Sequence, residues 1–168
     1  MIIISDTGPL HYLILIDETE LLREQFGHVI IPDAVLGDLQ HQNTPEKVKT
    51  WIASRPEWIE VKTPTLLLAD VDRALGAGER EAIALAIELG ADALLLDDRR
   101  AIREATRRSI PTITTLNILA KASEDGRIDL REVCERLVST TNFYVSQAVI
   151  ERLLERDRER KERKDLKL

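Results

Sequence analysis

Acidic residues stand directly after two aliphatic runs of the sequence, where strands would end. Asp6 follows the isoleucines at 2–4 and one serine. Asp97 and Asp98 follow the run Ala-Leu-Leu-Leu at 93–96. Unbroken aliphatic runs are typical of parallel strands buried on both faces, and ligands of an open parallel sheet bind beyond the carboxyl ends of its strands. Because acids that meet at one edge repel one another, we expect a hard cation there, Mg²⁺ or Mn²⁺.

Helix capping is the alternative interpretation of these acids. An Asp after a strand often accepts hydrogen bonds from the first turn of the next helix, and Asp33, which follows Pro32, is expected to do so. Glu79 begins a helix after Gly-Ala-Gly, where a carboxylate meets the positive end of the helix dipole. The hydroxyl of Thr7 could cap a helix or orient a ligand carboxylate. Both interpretations remain open at this stage.

Strands and helices alternate along the chain. Strands are predicted at residues 2–4, 28–31, 58–62, 93–96 and 111–114. Helical patterns lie between them, as in EREAIALAIELG, whose apolar positions follow a helical period and which ends at Gly90. Alternation of this kind predicts an α/β fold, a three-layer α/β/α arrangement with a central, mainly parallel sheet whose first strand is central.

Four short motifs, in this order and spacing, resemble the PIN-domain family. They are Asp6-Thr7-Gly8, Ile31–Val35 with Asp38 shortly after it, Gly78-Glu79 before an Ala- and Ile-rich helix, and Leu95–Arg100 with the sequence LLDDRR. The resemblance covers roughly residues 1–125. It is greatest to the subgroup known as predicted nucleic-acid-binding PIN proteins, to which Thr115-Leu116, Ala120-Lys121 and Gly126 also correspond.

The resemblance implies a metal-dependent endoribonuclease, a VapC-like toxin of a toxin–antitoxin pair. The implied catalytic acids are Asp6, Asp38, Glu79 and Asp98. Among them Asp6, Glu79 and Asp98 are expected to bind Mg²⁺ or Mn²⁺ directly, whereas Asp38, where the family more often has Glu, is expected to reach the metal through water. The implied partners are an RNA substrate, an antitoxin protein and a second copy of the chain in a homodimer.

Two residues are expected to support this set, namely Thr7 and Asp97. Adjacent residues leaving a strand point to opposite sides, so we predict that Asp98 is the ligand and that Asp97 lies behind it. Arg99, Arg100 and Arg103 follow the acidic edge and are expected to bind RNA phosphates. The alternative for these arginines is a solvated helix face that pairs with Glu104.

Two other functional classes are alternatives to a nuclease. A phosphoacceptor signalling domain would carry its acid pair after the first strand and a Lys after the last, and this sequence has neither. A PIN fold that no longer cuts RNA, and serves as a binding or assembly module, is favoured by the shorter acid at Asp38. Cleavage by the wild-type chain would separate this second alternative from a nuclease.

Composition predicts the organisation and location of the chain. We predict one PIN-like domain over residues 1–145 and a charged C-terminal helix or tail over residues 146–168. A single cysteine, Cys134, offers no disulfide and no CxxC metal site, which favours the cytoplasm. Neither a signal peptide nor a membrane span is expected. The net charge of −6 argues against a protein that coats nucleic acid, although the arginines are concentrated locally.

Overall fold

A five-stranded, all-parallel sheet in the order β3-β2-β1-β4-β5 organises the structure, a computed structural model that describes residues 1–166. The strands are β1 (Ile3–Ser5), β2 (Val29–Pro32), β3 (Ile59–Lys62), β4 (Ala93–Leu95) and β5 (Thr112–Ile113). Ile4 of β1 is in register with Ile30 on one side and with Leu94 on the other. The first strand is therefore central, as the sequence predicted.

Helices connect every pair of consecutive strands. The connecting helices are α1 (Thr7–Leu15), α2 (Glu20–Phe26), α3 (Asp33–Leu39), α4 (Glu46–Ala53), α5 (Ala77–Leu89) and α6 (Arg99–Arg107). After β5 come α7 (Thr115–Glu124), α8 (Leu130–Thr140) and α9 (Gln147–Asp165). The chain steps from β1 to β3 in one direction along the sheet and from β3 to β5 in the other. Helices α5 and α6 pack on one face of the central strands, and α3 contacts α5 beside them. The predicted three-layer α/β/α class is confirmed.

Aliphatic side chains of the central strands form the core beneath α5 and α6. Ile4 and Leu94 are completely buried and pack with Ile83 of α5 and Ala101 of α6. Each fully buried Ile or Leu contributes about 1.5–3 kcal/mol. Gly90 ends α5 in the left-handed conformation, with a φ of 60°, so that the chain can turn directly into β4. This packing holds the first turns of α5 and α6 at the carboxyl edge of the sheet.

The chain divides into two compact units, the first covering Met1–Thr115 and the second beginning at Leu116. Within the second unit, Asp157 of α9 is buried, accepts a hydrogen bond of 2.8 Å from the Ser123 hydroxyl and pairs with Lys161 at 2.7 Å. The predicted charged segment from residue 146 is thus helical from Gln147 to Asp165, and its residues 167 and 168 lie outside the described chain. The domain boundary between residues 145 and 146 stays a prediction. None of the helices in residues 1–166 is long and apolar enough to span a membrane.

Candidate active site

The candidate site lies at the carboxyl ends of β1 and β4, where the two predicted acidic segments leave the sheet. Asp6 follows β1 directly, and its backbone N–H donates a 3.0 Å hydrogen bond to the carbonyl of Leu95 in β4. This bond extends the pairing of the two central strands by one residue and fixes the position of Asp6. The residue is only 6% exposed, which is unusual for a carboxylate.

Asp38 reaches the same place from the last turn of α3. The Thr7 hydroxyl donates a 2.9 Å hydrogen bond to Asp38 Oδ2, which joins the start of α1 to α3. A Cβ on Gly78 would lie 2.9 Å from Asp38 Oδ2 and 3.3 Å from Asp6 Oδ1. The two carboxylates therefore converge on the bare backbone of Gly78, a residue whose part in the site was not predicted from the sequence.

Glu79 follows Gly78 in the first turn of α5 and is half-buried. Its Oε2 accepts a 2.6 Å hydrogen bond from the backbone N–H of Gly76, so the capping interpretation is partly correct for this residue. Burial raises the pKa of Glu79, and the Gly76 N–H lowers it. The neighbouring carboxylates of Asp98 and Asp38 raise this pKa further, so Glu79 is close to both.

Asp6 is the most strongly perturbed acid of the group. Burial is the main cause that raises the pKa of Asp6 from 3.8 to about 7, because the charged form loses its hydration. The backbone N–H groups of Thr7 and Gly8 oppose this shift without cancelling it. Repulsion from Glu79 and Asp38 adds to it. Asp6 occupies the N-cap position of α1 without a capping hydrogen bond of normal geometry, although the N–H groups of Thr7 and Gly8 lie near enough to lower its pKa.

The adjacent acids after β4 have separate environments. Asp98 is exposed and caps α6, its Oδ1 accepting hydrogen bonds from the N–H groups of Arg100 (2.8 Å) and Ala101 (2.9 Å). Asp97 turns the other way and accepts two hydrogen bonds from Thr115, one from the backbone N–H (2.8 Å) and one from the hydroxyl (2.6 Å). Burial raises the pKa of Asp97, although both Thr115 bonds lower it. Its side chain lies against Gly8, whose Cβ would be 3.5 Å from Asp97 Oδ2.

The structure thus brings four of the predicted acids together. They are Asp6, Asp38, Glu79 and Asp98, which we call the acid cluster. Asp97 lies beside the acid cluster, held by Thr115. Thr7 uses its hydroxyl to hold Asp38 instead of capping its own helix. The roles of these residues in catalysis and metal binding stay predictions.

The prediction that Asp33 caps α3 is wrong. Asp33 is the first residue of that helix, and its carboxylate accepts the hydroxyl of Thr63. The N–H of Ala34 is instead satisfied by Glu81 Oε2 of α5 at 2.9 Å. A residue 47 positions away supplies the cap, and no local pattern in the sequence indicates such a partner.

Three predicted RNA-binding arginines are exposed along α6. They are Arg99, Arg100 and Arg103. They do not pair with Glu104, which is nearly buried and pairs with Arg107 and Arg108 at 2.8 and 2.7 Å, so the alternative for them is a solvated helix face without that pairing. Within residues 1–166 the three predicted arginines form no ion pair, so their charge is available to an anion outside the chain.

The acid cluster fits a hard divalent cation in donor type and charge. Hydrogen bonds hold one oxygen of Asp38, Glu79 and Asp98, and the other oxygen of each accepts none from residues 1–166. A cation would also relieve the repulsion that raises the pKa of Asp6. No three acidic, histidine or cysteine residues in the described chain are close enough to form a complete metal site. Water would have to complete the coordination, as is usual for Mg²⁺.

Comparison with known proteins gives one family match. A family model described as a PIN domain matches residues 2–159. No curated protein matches the chain significantly. Among solved structures, a PilT N-terminus domain protein from the hyperthermophilic archaeon Sulfolobus solfataricus P2 is 16% identical, with a TM-score of 0.49 over 88% of this chain and 99% of that one. A likeness at this level carries no functional information.

Proposed function

This chain belongs to the PIN-domain family, whose members are typically metal-dependent nucleases, and on that premise we propose that it is a metal-dependent endoribonuclease. The observation that carries the proposal is the acid cluster itself. Four carboxylates from four separate segments lie near one another at the carboxyl edge of a parallel sheet, where ligands of such sheets bind. Clustered like charges cost the fold free energy, and a bound cation offsets that cost.

The residues that position the acid cluster have definable parts in the proposed reaction. A bound Mg²⁺ or Mn²⁺ would lower the pKa of the attacking water and stabilise the negative charge that develops on the scissile phosphate. Asp6 stands at the buried end of the cluster, fixed by the bond between β1 and β4. Thr7 orients Asp38, and the Gly76 N–H orients Glu79, so little rearrangement is needed when substrate binds. Direct attack by water would leave a 5′-phosphate and a 3′-hydroxyl.

Substitution of Asp98 tests the proposal. We expect Asp98→Asn to reduce RNA cleavage in Mg²⁺ or Mn²⁺ by at least about 100-fold, because the amide removes an anionic ligand oxygen. Asn still accepts hydrogen bonds at a helix N-terminus, so α6 should keep its cap. Cleavage of a fluorescent RNA, with thermal melting to verify folding, measures both effects.

Asp33→Asn is the matched control, since it makes the same chemical change directly after another strand of the sheet, β2. The Asp33 carboxylate contacts Thr63 and takes no part in the acid cluster, so cleavage should remain within about twofold of wild type. Equal activity of the Asp98 and Asp33 variants would refute the assignment of Asp98. If the wild type binds RNA but does not cleave it, the result would support the non-catalytic alternative. The lack of a complete three-residue metal site within residues 1–166 is the observation that favours this alternative.

The arginines of α6 are proposed to bind the phosphates that flank the cleaved bond. Arg99 and Arg103 lie one turn apart on the same side of α6, and Arg100 lies next to them. Replacing all three by Ala should weaken RNA binding in the presence of a chelator. The slope of log K against log salt should become shallower by about 2, because each phosphate contact to a single strand contributes about 0.7. Fluorescence anisotropy over a salt series measures this slope.

A second triple variant controls for the loss of total positive charge. Arg152, Arg156 and Arg163 of α9 also form no ion pair with residues 1–166, and their replacement by Ala removes the same charge from another helix. The slope should then stay close to that of wild type. If both triple variants lower it equally, α6 is not the phosphate-binding surface.

The proposal extends to biological role. By its resemblance to VapC-like proteins, the chain is proposed to be the toxin of a toxin–antitoxin pair, acting in the cytoplasm and inhibited by an antitoxin protein. Its support is the set of PIN motifs centred on Asp6, Glu79 and Asp98. We expect the antitoxin to be encoded beside this gene, to bind the chain and to block cleavage.

A further inference from the structure

A carboxylate outside the acid cluster joins two of the helices that contribute to it. Glu81 lies in the second turn of α5, three residues after Gly78 and therefore on the same side of that helix. It is partly buried, and its Oε2 accepts a 2.9 Å hydrogen bond from the backbone N–H of Ala34 in the first turn of α3. The bond links α3, which carries Asp38, to α5, which carries Glu79.

Helix α3 takes its cap from this bond. Pro32, which precedes the helix, offers no side-chain acceptor, and the carboxylate of Asp33 binds the hydroxyl of Thr63. The first four N–H groups of a helix have no acceptor within it, so the N–H of Ala34 needs one from elsewhere. A partly buried N–H that loses its acceptor costs the fold free energy. The position of Glu81 therefore determines where α3 begins.

The contact between the two helices continues from Ala34 to the acid cluster. The next residue, Val35, is buried, and its Cγ2 would lie 3.3 Å from a Cβ on Gly78. Asp38 follows Val35 by three residues on the same side of α3, and its Oδ2 would lie 2.9 Å from the same Cβ. About 6 Å of helix separates Ala34 from Asp38. A shift at the start of α3 would therefore move Asp38 relative to Gly78 and Asp6.

We propose that Glu81 is a positioning residue, which holds Asp38 in the acid cluster by fixing the first turn of α3 against α5. The consequence for cleavage rests on the proposed nuclease function, whereas the consequence for structure does not. Replacing a residue that holds metal-binding carboxylates in place typically costs about 10- to 100-fold in metal affinity or activity. For this role Glu81 needs an acceptor oxygen at the right distance, and its charge is not required.

Two conservative variants separate the hydrogen bond from the charge. Glu81→Gln keeps an acceptor oxygen at the same reach, whereas Glu81→Asp keeps the charge on a side chain that is one methylene shorter. We expect Glu81→Asp to lower kcat for RNA cleavage by about 10-fold and to leave KM within about twofold, because the arginines of α6 are unchanged. Its affinity for Mn²⁺ alone, measured by electron paramagnetic resonance of the free ion, should fall by about the same factor. Glu81→Gln should stay within about threefold of wild type in both measurements, since its oxygen still accepts the Ala34 N–H.

A structural readout is independent of metal and of cleavage. In the wild type a methyl group of Val35 lies beside the backbone of Gly78, so a nuclear Overhauser effect should connect the two residues. With a chelator present, this effect should weaken in Glu81→Asp and persist in Glu81→Gln. Thermal melting verifies that both variants fold.

Glu88→Asp is the matched control, because Glu88 lies two turns further along α5 and also accepts backbone N–H groups. Its donors are Thr65 and Leu66, at 2.9 and 3.2 Å, in a segment that carries no acid of the acid cluster. This variant should match wild type in kcat, in Mn²⁺ affinity and in the Overhauser effect.

The outcomes distinguish this inference from the proposed function. If Glu81→Asp matches wild type in the Overhauser effect and in Mn²⁺ affinity, the inference is wrong even when the wild type cleaves RNA. If Glu81→Gln loses as much as Glu81→Asp, the charge is required and a positioning role is refuted. A wild type that neither cleaves RNA nor binds Mn²⁺ refutes the proposed function alone, and the Overhauser effect then decides the inference about Glu81.

Discussion

Asp6→Asn should stabilise the metal-free protein by about 4 kcal/mol at pH 8. The pKa of Asp6 is raised to about 7 in the folded state from an ordinary value of 3.8, a difference that corresponds to roughly 4 kcal/mol. Above pH 7 the wild type carries this cost in full, because both the folded and the unfolded states are ionised there. Asn has the same shape and no charge, so the variant avoids the cost. Urea unfolding in the presence of a chelator measures the difference.

The stability gained by Asp6→Asn should depend on pH. Between about pH 4 and pH 7 the folded protein keeps a proton on Asp6 that the unfolded chain has released, so wild-type stability falls as pH rises through this window. The advantage of Asp6→Asn should therefore be small near pH 4 and reach its full value above pH 7. An advantage that does not change with pH would contradict the raised pKa.

Asp98→Asn is the comparison variant for stability. Asp98 is exposed and accepts two capping bonds that an Asn oxygen can also accept, so its stability should stay within about 1 kcal/mol of wild type at either pH. Mn²⁺ should stabilise the wild type through preferential binding to the folded state, and it should stabilise Asp6→Asn less. The burial of Asp6 and the exposure of Asp98 thus predict different effects of the same substitution on stability.

The fold was predictable because its strands are short and aliphatic. The isoleucines of β1 and the leucines of β4 are typical of buried parallel strands. Their alternation with helical patterns predicts the layer arrangement. The edge strand β5 is less well defined by sequence. Thr112 and Ile113 are only partly buried there, and two residues carry too little pattern to mark where a strand begins or ends.

The site was predictable only where it follows from strand ends. Asp6 and Asp98 come directly after strands, and topology brings those ends together. Asp38 lies in a helix, where an acid looks like any surface residue, and only the family resemblance singled it out. Its contact with Thr7, 31 residues away in sequence, depends on how α3 packs. The same limit applies to Asp97, whose partner Thr115 lies beyond the next helix and strand.

Gly78→Ala should abolish cleavage while the chain still folds. A Cβ at residue 78 would lie 2.9 Å from Asp38 Oδ2, closer than real contacts allow, and 3.3 Å from both Asp6 Oδ1 and the buried Val35 Cγ2, which must shift by a few tenths of an ångström. The exposed Asp38 carboxylate can swing away at little cost, but it would then leave Thr7 and the acid cluster. A displacement of about 1 Å in a catalytic group can cost about 100-fold in rate, and we expect a loss of at least that size.

Gly37→Ala is the control, since Gly37 lies in the middle of α3 and has no neighbouring atom within 4 Å of the added Cβ. That variant should cleave like wild type and be more stable by about 0.5–1 kcal/mol, because Ala favours a helix over Gly. RNA cleavage and urea unfolding of both variants decide the matter: if Gly78→Ala cleaves as fast as the Gly37 variant, the convergence of Asp6 and Asp38 on Gly78 has no part in the reaction.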